Sequence, residues 1–214
     1  VKNAQLEDTA TFFDRVGKKL SAIDVSTFAL SNAYCATVLP EEREKSVVVF
    51  NIGEKKMDAV YLLNGNFHSY RTMTSGALDS VISMLTKHLN IDAEKCHTIF
   101  ESGDTSCVDG FSEAEVEEAL KISYEEIVSA VEFGIRFFST QDNAENPEKI
   151  FLGGGGACLP NLASYLTERL GLSVETVNPF RNVTCDSAVV GESGMSLSLS
   201  NIYAPALGLA MRKF

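Results

Sequence analysis

A run of four glycines, Gly153 to Gly156, is the stretch of this sequence best suited to ligand chemistry. It follows a short apolar run, Ile150–Leu152, and precedes a helical pattern that begins near Pro160. Glycine backbone can reach positive φ and lie directly against a flat or anionic ligand. The spacing fits neither G-x-G-x-x-G nor the P-loop, which needs a lysine and a hydroxyl residue after its last glycine. The run alone therefore predicts either a ligand-binding turn or simply a tight connection from strand to helix.

Three β-rich runs upstream predict a second candidate turn and the sheet that would hold it. Ser46–Ile52 is rich in valine, which is typical of a buried strand. An Asn-Gly pair separates Lys56–Leu63 from Asn66–Met73, and this pair is a strong hairpin signal because both residues tolerate positive φ. The sequence therefore predicts a three-stranded antiparallel meander over residues 46–73, with its first turn at Gly53–Lys55.

Helical patterns flank the predicted meander. Ser112 and Glu115 form a capping box before a long apolar stripe, which predicts a helix that ends near Ser139. The acidic residues on the outer face of this helix are explained by solvation. The sequence also predicts helices over 4–20, 26–35, 77–89, 160–170 and 204–212, a short helix or turn over 90–100, short strands over 23–25 and 174–177, and loops over 41–45, 101–110 and 181–200.

Composition narrows the functional classes. The 214 residues carry a net charge of −11, and an acidic surface argues against nucleic acid as a partner. The apolar runs are too short for a membrane span, so no direct membrane insertion is expected. The five cysteines are scattered without a C-x-x-C pair, which favours reduced thiols. The group of His88, Cys96, His97 and Cys107 has no metal-binding spacing, so no metal site is expected.

The predicted order of elements resembles one half of the actin-like ATPase fold, which is ribonuclease H-like and belongs to the α/β class. In that fold a β-meander with flanking helices carries an inserted helical subdomain, here about 76–147. The resemblance implies that the meander turn at Asn51-Ile52-Gly53 faces phosphate and that the glycine run faces adenosine. The implied cofactor-binding residues are Asn51, Gly53, Gly153, Gly154, Gly155 and Gly156.

Within this superfamily the sequence resembles PilM, a cytoplasmic assembly protein of type IV pilus systems. The resemblance rests on Ile23–Leu30, Val47–Gly53, the glycine run through Asn178-Pro179-Phe180, and Tyr203–Arg212. It implies that residues 1–37 are the tail of a first domain with a crossover helix and that residues 38–214 form the second actin-like domain. The first residue is Val1 rather than Met, which indicates a fragment or a processed chain.

Two departures from the PilM family pattern argue against hydrolysis of ATP. Asn51 stands where the pattern has an aspartate, and an amide lacks the charge that holds magnesium. Glu54 would repel phosphate, although Lys55 and Lys56 could attract it. The first domain, with its own phosphate turn and the groove for a PilN peptide, is expected to lie outside this chain. Weak binding of ATP, with or without magnesium, is the most that the resemblance implies, and an enzyme is not expected.

The resemblance implies a scaffold of the pilus assembly machine, cytoplasmic and held at the inner membrane by partners such as a PilN-like protein. The alternatives are a GspL-like protein of type II secretion, an FtsA-like cell division protein and a working ATPase or sugar-kinase-like enzyme. Removal of a first domain would expose apolar surface around Phe28 and Leu207. The chain is therefore expected to self-associate, and a clean monomer by light scattering at high concentration would contradict this.

Overall fold

Five strands form one mixed sheet in the computed structural model, which describes residues 3–108, 110–186, 188 and 196–212. Their spatial order is β3-β2-β1-β4-β5. The first three strands pair antiparallel, and β4 and β5 are added in parallel to β1. The bounds are β1 Val47–Ile52, β2 Met57–Leu63, β3 Asn66–Met73, β4 Lys149–Gly153 and β5 Ser173–Thr176.

The predicted meander is confirmed, and its hairpin has the expected local cause. Asn64 and Gly65 have φ values of 52° and 70°, the left-handed conformation that this pair of residues tolerates. A register shift between Tyr61 and Leu62 places a bulge near His68 on β3. Because β3 has no further strand beside it, the bulge lies on an edge of the sheet, where such irregularities are common.

Nine helices surround the sheet within the described residues. The predicted capping box at the start of α6 is confirmed, because the Ser112 N–H donates to the Glu115 carboxylate at 2.8 Å and the Glu115 N–H donates to Ser112 Oγ. The bounds are α1 Asn3–Arg15, α2 Ser26–Thr37, α3 Pro40–Arg43, α4 Leu78–Leu89, α5 Ala93–Ser102, α6 Glu113–Ser139, α7 Leu162–Leu170, α8 Leu197–Ile202 and α9 Ala204–Ala210.

The sheet buries both of its faces. One face packs on α4, α5, α6 and α7, with Phe50 and Ile127 among the fully buried side chains. The other face packs on α2 and α9 through a smaller cluster that includes Leu30 and Val49. At the contact between α9 and α2, a Cβ atom added to Gly208 would lie 1.7 Å from the Ala29 carbonyl oxygen. A residue with a side chain therefore could not occupy that position without moving one helix.

Several predicted boundaries are wrong. Residues 23–25 form no strand, because Val25 is extended only as the N-cap of α2. The expected loop over 41–45 contains most of α3, which starts with Pro40 at its first position, where its missing N–H costs nothing. The helix expected from Pro160 begins at Leu162, because Gly155–Cys158 form a short 3₁₀ turn. Within 181–200, α8 begins at Leu197, and residues 187 and 189–195 lie outside the described residues.

The apolar surface expected around Phe28 and Leu207 is present in part. Phe28 is 37% exposed, whereas Leu207 is half-buried and Leu209, on the same helix, is exposed. Self-association and the domain boundaries at 37, 76 and 147 stay predictions. Within the described part of the chain, no helix is both long and apolar enough to cross a bilayer.

Candidate functional site at the ends of two parallel strands

The two predicted turns lie side by side. β1 and β4 are parallel neighbours, and Asn51 on β1 is the register partner of Gly153 on β4. Both strands therefore deliver their carboxyl ends to one edge of the sheet, which is where open α/β sheets bind ligands. The residues that the sequence placed in two separate motifs thus lie together at one edge of the sheet.

Two of the four glycines, Gly154 and Gly156, are explained by packing against β1. Gly154 has φ +81°, and a Cβ atom added there would lie 2.5 Å from the Ile52 carbonyl oxygen. A Cβ atom on Gly156 would lie 2.3 Å from Ile52 Cγ2. Gly153 is buried as well, although its surroundings would leave a Cβ atom at ordinary contact distance. The turn therefore needs glycine at 154 and 156 so that its backbone can lie directly on the end of β1.

Gly155 differs from the other three glycines. It is exposed, and a Cβ atom built on it would have no heavy atom within 4 Å. It is also the first residue of the 3₁₀ turn Gly155–Cys158. This is the position of the run where a ligand could approach the backbone without displacing a protein atom.

The side-chain oxygen of Asn51 is enclosed by the same turn. Asn51 Oδ1 is buried and accepts no hydrogen bond from the described residues. A Cβ atom on Gly154 would lie 2.8 Å from it, so the Gly154 backbone covers this oxygen. A neutral oxygen that is covered in this way is a poor ligand for magnesium, which prefers exposed carboxylate oxygens and water.

Other donors near the turn are already engaged. The buried carboxylate of Asp58 forms an ion pair with Lys56 at 3.0 Å and accepts a hydrogen bond from Thr72 Oγ1 at 2.6 Å. Lys56 is therefore paired with Asp58 although it is exposed, as are Glu54 and Lys55. The described residues contain no group of three or more histidine, cysteine or acidic residues that could hold a metal ion. None of Asn51, Gly53 and the four glycines carries a carboxylate.

The hairpin turn also supports α4. The Gly53 N–H donates to the Lys56 carbonyl oxygen at 3.0 Å, which closes the turn. The N–H groups of Leu78 and Asp79 donate to the carbonyl oxygens of Gly53 and Glu54 at 3.0 and 2.9 Å. The first amides of α4 are thereby satisfied by the turn itself. The role of Gly53 here is to let two backbone segments meet, since a Cβ atom on it would lie 2.9 Å from the Lys56 oxygen.

A groove of about 250 Å³ lies between α6 and α7, directly after the glycine turn. The Tyr124 hydroxyl donates to the Pro160 carbonyl oxygen at 2.9 Å, and burial raises the pKa of this hydroxyl. Tyr165 and Arg169 both contact the carboxylate of Glu125, which ties α7 to α6. The groove is lined by Glu117, Leu120, Lys121, Tyr124, Pro160, Asn161, Ser164, Tyr165 and Glu168.

Sequence reasoning missed this groove. Tyr124 lies on the apolar stripe of α6, and such a stripe indicates only which face of the helix is buried. Its ring is indeed buried, but its hydroxyl reaches Pro160, which is 36 residues further along the chain. Periodicity reports the face of a helix and not the polar atom at the tip of a side chain, so the sequence held no signal for this contact.

The sheet order and the paired turns define half of an actin-like ATPase fold, as predicted. The chain belongs to the family of the type IV pilus assembly protein PilM, whose model matches residues 2–214. The family resemblance found in the sequence is therefore confirmed, and the GspL-like and FtsA-like alternatives are not favoured. No curated protein sequence matched the chain.

Solved structures agree on the fold. A chain of the PilM-PilN type IV pilus biogenesis complex superposes with a TM-score of 0.75 at 24% identity, over 96% of this chain and 56% of that one. EutJ of Carboxydothermus hydrogenoformans gives 0.66 at 15% identity, over 99% and 62%. MreB5 of Spiroplasma citri bound to AMPPNP gives 0.64 at 12% identity, over 99% and 64%. The chain thus spans somewhat more than half the length of each of these structures.

Proposed function

We propose that this chain is part of a scaffold in a type IV pilus assembly machine, where it works with a PilN-like inner membrane protein. The family match over residues 2–214 carries this proposal. The likeness to the fold of a chain from a PilM-PilN complex supports it. In this role the chain is cytoplasmic and peripheral to the inner membrane, because partner proteins hold it there.

The nucleotide part of the proposal is limited to weak binding of the adenosine side of ATP. Gly155 offers open backbone, and MreB5, which shares the fold, was solved with AMPPNP. Gly153, Gly154 and Gly156 shape the turn. Asn51 lies near the end of β1 and Gly53 follows it, and neither residue carries a carboxylate that could bind magnesium. We do not propose hydrolysis, since the phosphate side lacks the charged group that would hold a metal.

Calorimetric titration of this chain with ATP and magnesium tests the nucleotide part. The informative variant is Gly155→Asp, because it adds a carboxylate in open space and leaves the packing intact. Gly154→Asp would collide with Ile52 and would report on folding instead. The matched control is Ser83→Asp on the exposed surface of α4. We expect weak heat that Gly155→Asp loses and Ser83→Asp keeps; equal binding by both variants would reject the site.

The scaffold part is tested separately in cells. We expect that deletion of the coding region abolishes surface pili and that the unmodified gene restores them. Pili of normal number in the deletion strain would contradict the scaffold role. Complementation with Gly155→Asp then separates the two parts, because restored pili would show that the scaffold works without nucleotide at this turn.

A further inference from the structure

The outer edge of β3 is a surface whose backbone groups no described strand uses. β3 stands at the end of the sheet order, and no described strand pairs with its outer side. Edge strands present free N–H and C=O groups that can pair with another extended segment. At one end, the His68 ring nitrogen Nε2 lies 3.0 Å from the Asp142 carbonyl oxygen, so the open stretch is Ser69–Met73. Two strands, β2 and β1, lie between this edge and β4, the strand that leads into the glycine turn.

One face of this edge carries a cation that is held in place by aromatic rings. The Arg71 guanidinium lies 4.7 Å from the centre of the Phe133 ring and 4.6 Å from that of Phe137. Both rings come from α6, and Phe133 is 44% exposed. Arg71 forms no ion pair with any described carboxylate, and its Nε is buried without a hydrogen-bond partner among the described residues. Stacking fixes the guanidinium in advance, which lowers the entropic cost of binding a carboxylate.

The other face of the same edge is aromatic. Phe67 and Tyr70 of β3 are both exposed, and each packs edge-on against Phe28 of α2, with ring centroids 4.7 and 6.4 Å apart. Successive side chains of a strand point to opposite faces of a sheet. A strand added beside β3 would therefore meet aromatic rings on one face and Arg71 on the other.

We propose that the β3 edge binds an extended acidic segment of a partner protein. The segment would pair with Ser69–Met73 as an additional strand. Its carboxylates would face Arg71, and its alternate apolar side chains would cover Phe67 and Tyr70. Local charge supports an acidic partner, because Arg71 forms no ion pair with any described carboxylate. The net charge of −11 opposes such a partner at long range, so the attraction has to come from Arg71 at short range.

A second copy of this chain does not satisfy the same surface. β3 reads N-F-H-S-Y-R-T-M and contains no acidic residue. Pairing of β3 with β3 would therefore give Arg71 no carboxylate from the opposing strand. The proposed site is separate from the glycine turn and does not depend on nucleotide binding. It rests on the proposed scaffold role and adds to it the chemistry of one partner, an extended acidic segment.

The test uses the isotope-labelled chain and capped nine-residue peptides that alternate valine with glutamate. Amide chemical shifts are followed by NMR, and the comparison peptides carry lysine or glutamine in place of glutamate. We expect the glutamate peptide to shift amides of Ser69–Met73 and the lysine peptide not to bind. A higher salt concentration should reduce the gain in affinity that Arg71 gives the glutamate peptide and leave the glutamine peptide unchanged.

Variants then assign the charge. We expect Arg71→Gln to weaken the glutamate peptide about five-fold, a size typical of one favourable ion pair, and to leave the glutamine peptide unchanged. Arg136→Gln on α6 is the matched control, because Arg136 is exposed and lies 4.0 Å from Glu132. Equal binding of the lysine peptide, shifts that avoid β3, or no binding of the glutamate peptide would overturn the proposal. So would light scattering that shows self-association through this edge, since the occupant would then be a second copy.

Discussion

The glycine turn and the β3 edge lie at two boundaries of one sheet and differ in how much room they leave. At the turn, protein atoms fill the space beside Gly154 and Gly156 so closely that a methyl group cannot be added. At the edge, Phe67, Tyr70 and Phe133 leave large parts of their rings in solvent. The glycine run, which most resembles a ligand-binding motif, thus mainly allows the backbone to pack closely on β1. The β3 edge carries Arg71 and a strand edge that no described strand pairs with, but no sequence motif marks it.

The largest expected effect comes from adding one carbon atom where α9 packs on α2. Gly208→Ala would place Cβ against the Ala29 carbonyl oxygen, 1.7 Å away before relaxation. α9 would have to move away from α2, and we expect a loss of about 3 kcal/mol in the free energy of unfolding, at the upper end for overpacking. Urea denaturation measures it. Ala206→Ser, an exposed position on the same helix, should stay within about 0.5 kcal/mol. Equal stability of the two variants would show that the contact between α9 and α2 is loose.

The next effect separates two adjacent glycines. Gly154→Ala must place a side chain at φ +81° and against the Ile52 carbonyl, so we expect a loss of about 2 kcal/mol. Gly155→Ala points into open space and should change stability by less than about 0.5 kcal/mol. Thermal and urea unfolding of both variants provide the measurement. If the two variants were equally stable, the turn would not be packed on β1, and the contrast between closed turn and open edge would fail.

Local signals account for what the sequence predicted correctly. Asn64-Gly65 specifies its hairpin through two adjacent residues, and Ser112 with Glu115 specifies a helix start within four. The order of these elements was then enough for the fold class and the family. The expected strand over 23–25 was wrong, because β-propensity in a short run does not provide a neighbouring strand to pair with.

What the sequence could not provide are contacts between distant residues. The different roles of Gly154 and Gly155 depend on where Ile52 lies, and that residue belongs to another strand. The stacking of Arg71 on Phe133 likewise joins β3 to the C-terminal third of α6. In the sequence the four glycines are equivalent and Arg71 is one cation among 18. Only the assembled sheet shows which glycine is open and which cation is held in place.

A moderate effect is expected where α6 supports the turn. Tyr124→Phe removes the hydrogen bond to the Pro160 carbonyl and leaves that oxygen without its donor. We expect a loss of about 1 kcal/mol, the net value of one buried hydrogen bond. Tyr203→Phe is the control, because Tyr203 is 50% exposed. Both variants are compared by urea denaturation, and a cost as small as that of the control would mean that Tyr124 contributes through its ring alone.

The smallest expected effect concerns the capping box at the start of α6. This helix contacts both regions, since Tyr124 bonds to Pro160 after the glycine turn and Phe133 lies against Arg71 at the β3 edge. Hydrogen bonds from the Ser112 backbone and side chain lower the pKa of the Glu115 carboxyl. A carboxyl whose pKa is lower in the folded state stabilises the helix start fully above the ordinary glutamate value, about 4.3, and loses this contribution as pH falls through the lower, folded value. Acid should therefore loosen the first turn of α6 while amides near Phe133 stay protected.

Ser112→Ala should raise the Glu115 pKa part of the way toward its ordinary value, because the hydroxyl is lost while the backbone N–H of residue 112 still donates, and it should weaken this selective response to acid. NMR titration of the Glu115 carboxyl, together with amide exchange along α6, measures both changes. Along α6, Tyr124 lies closer to the capping box than Phe133 does. If α6 frays from its N-terminal end, amides near Tyr124 should therefore lose protection before amides near Phe133. Equal loss of protection at both positions would show that α6 responds as one rigid unit, and the two regions would then be coupled through it.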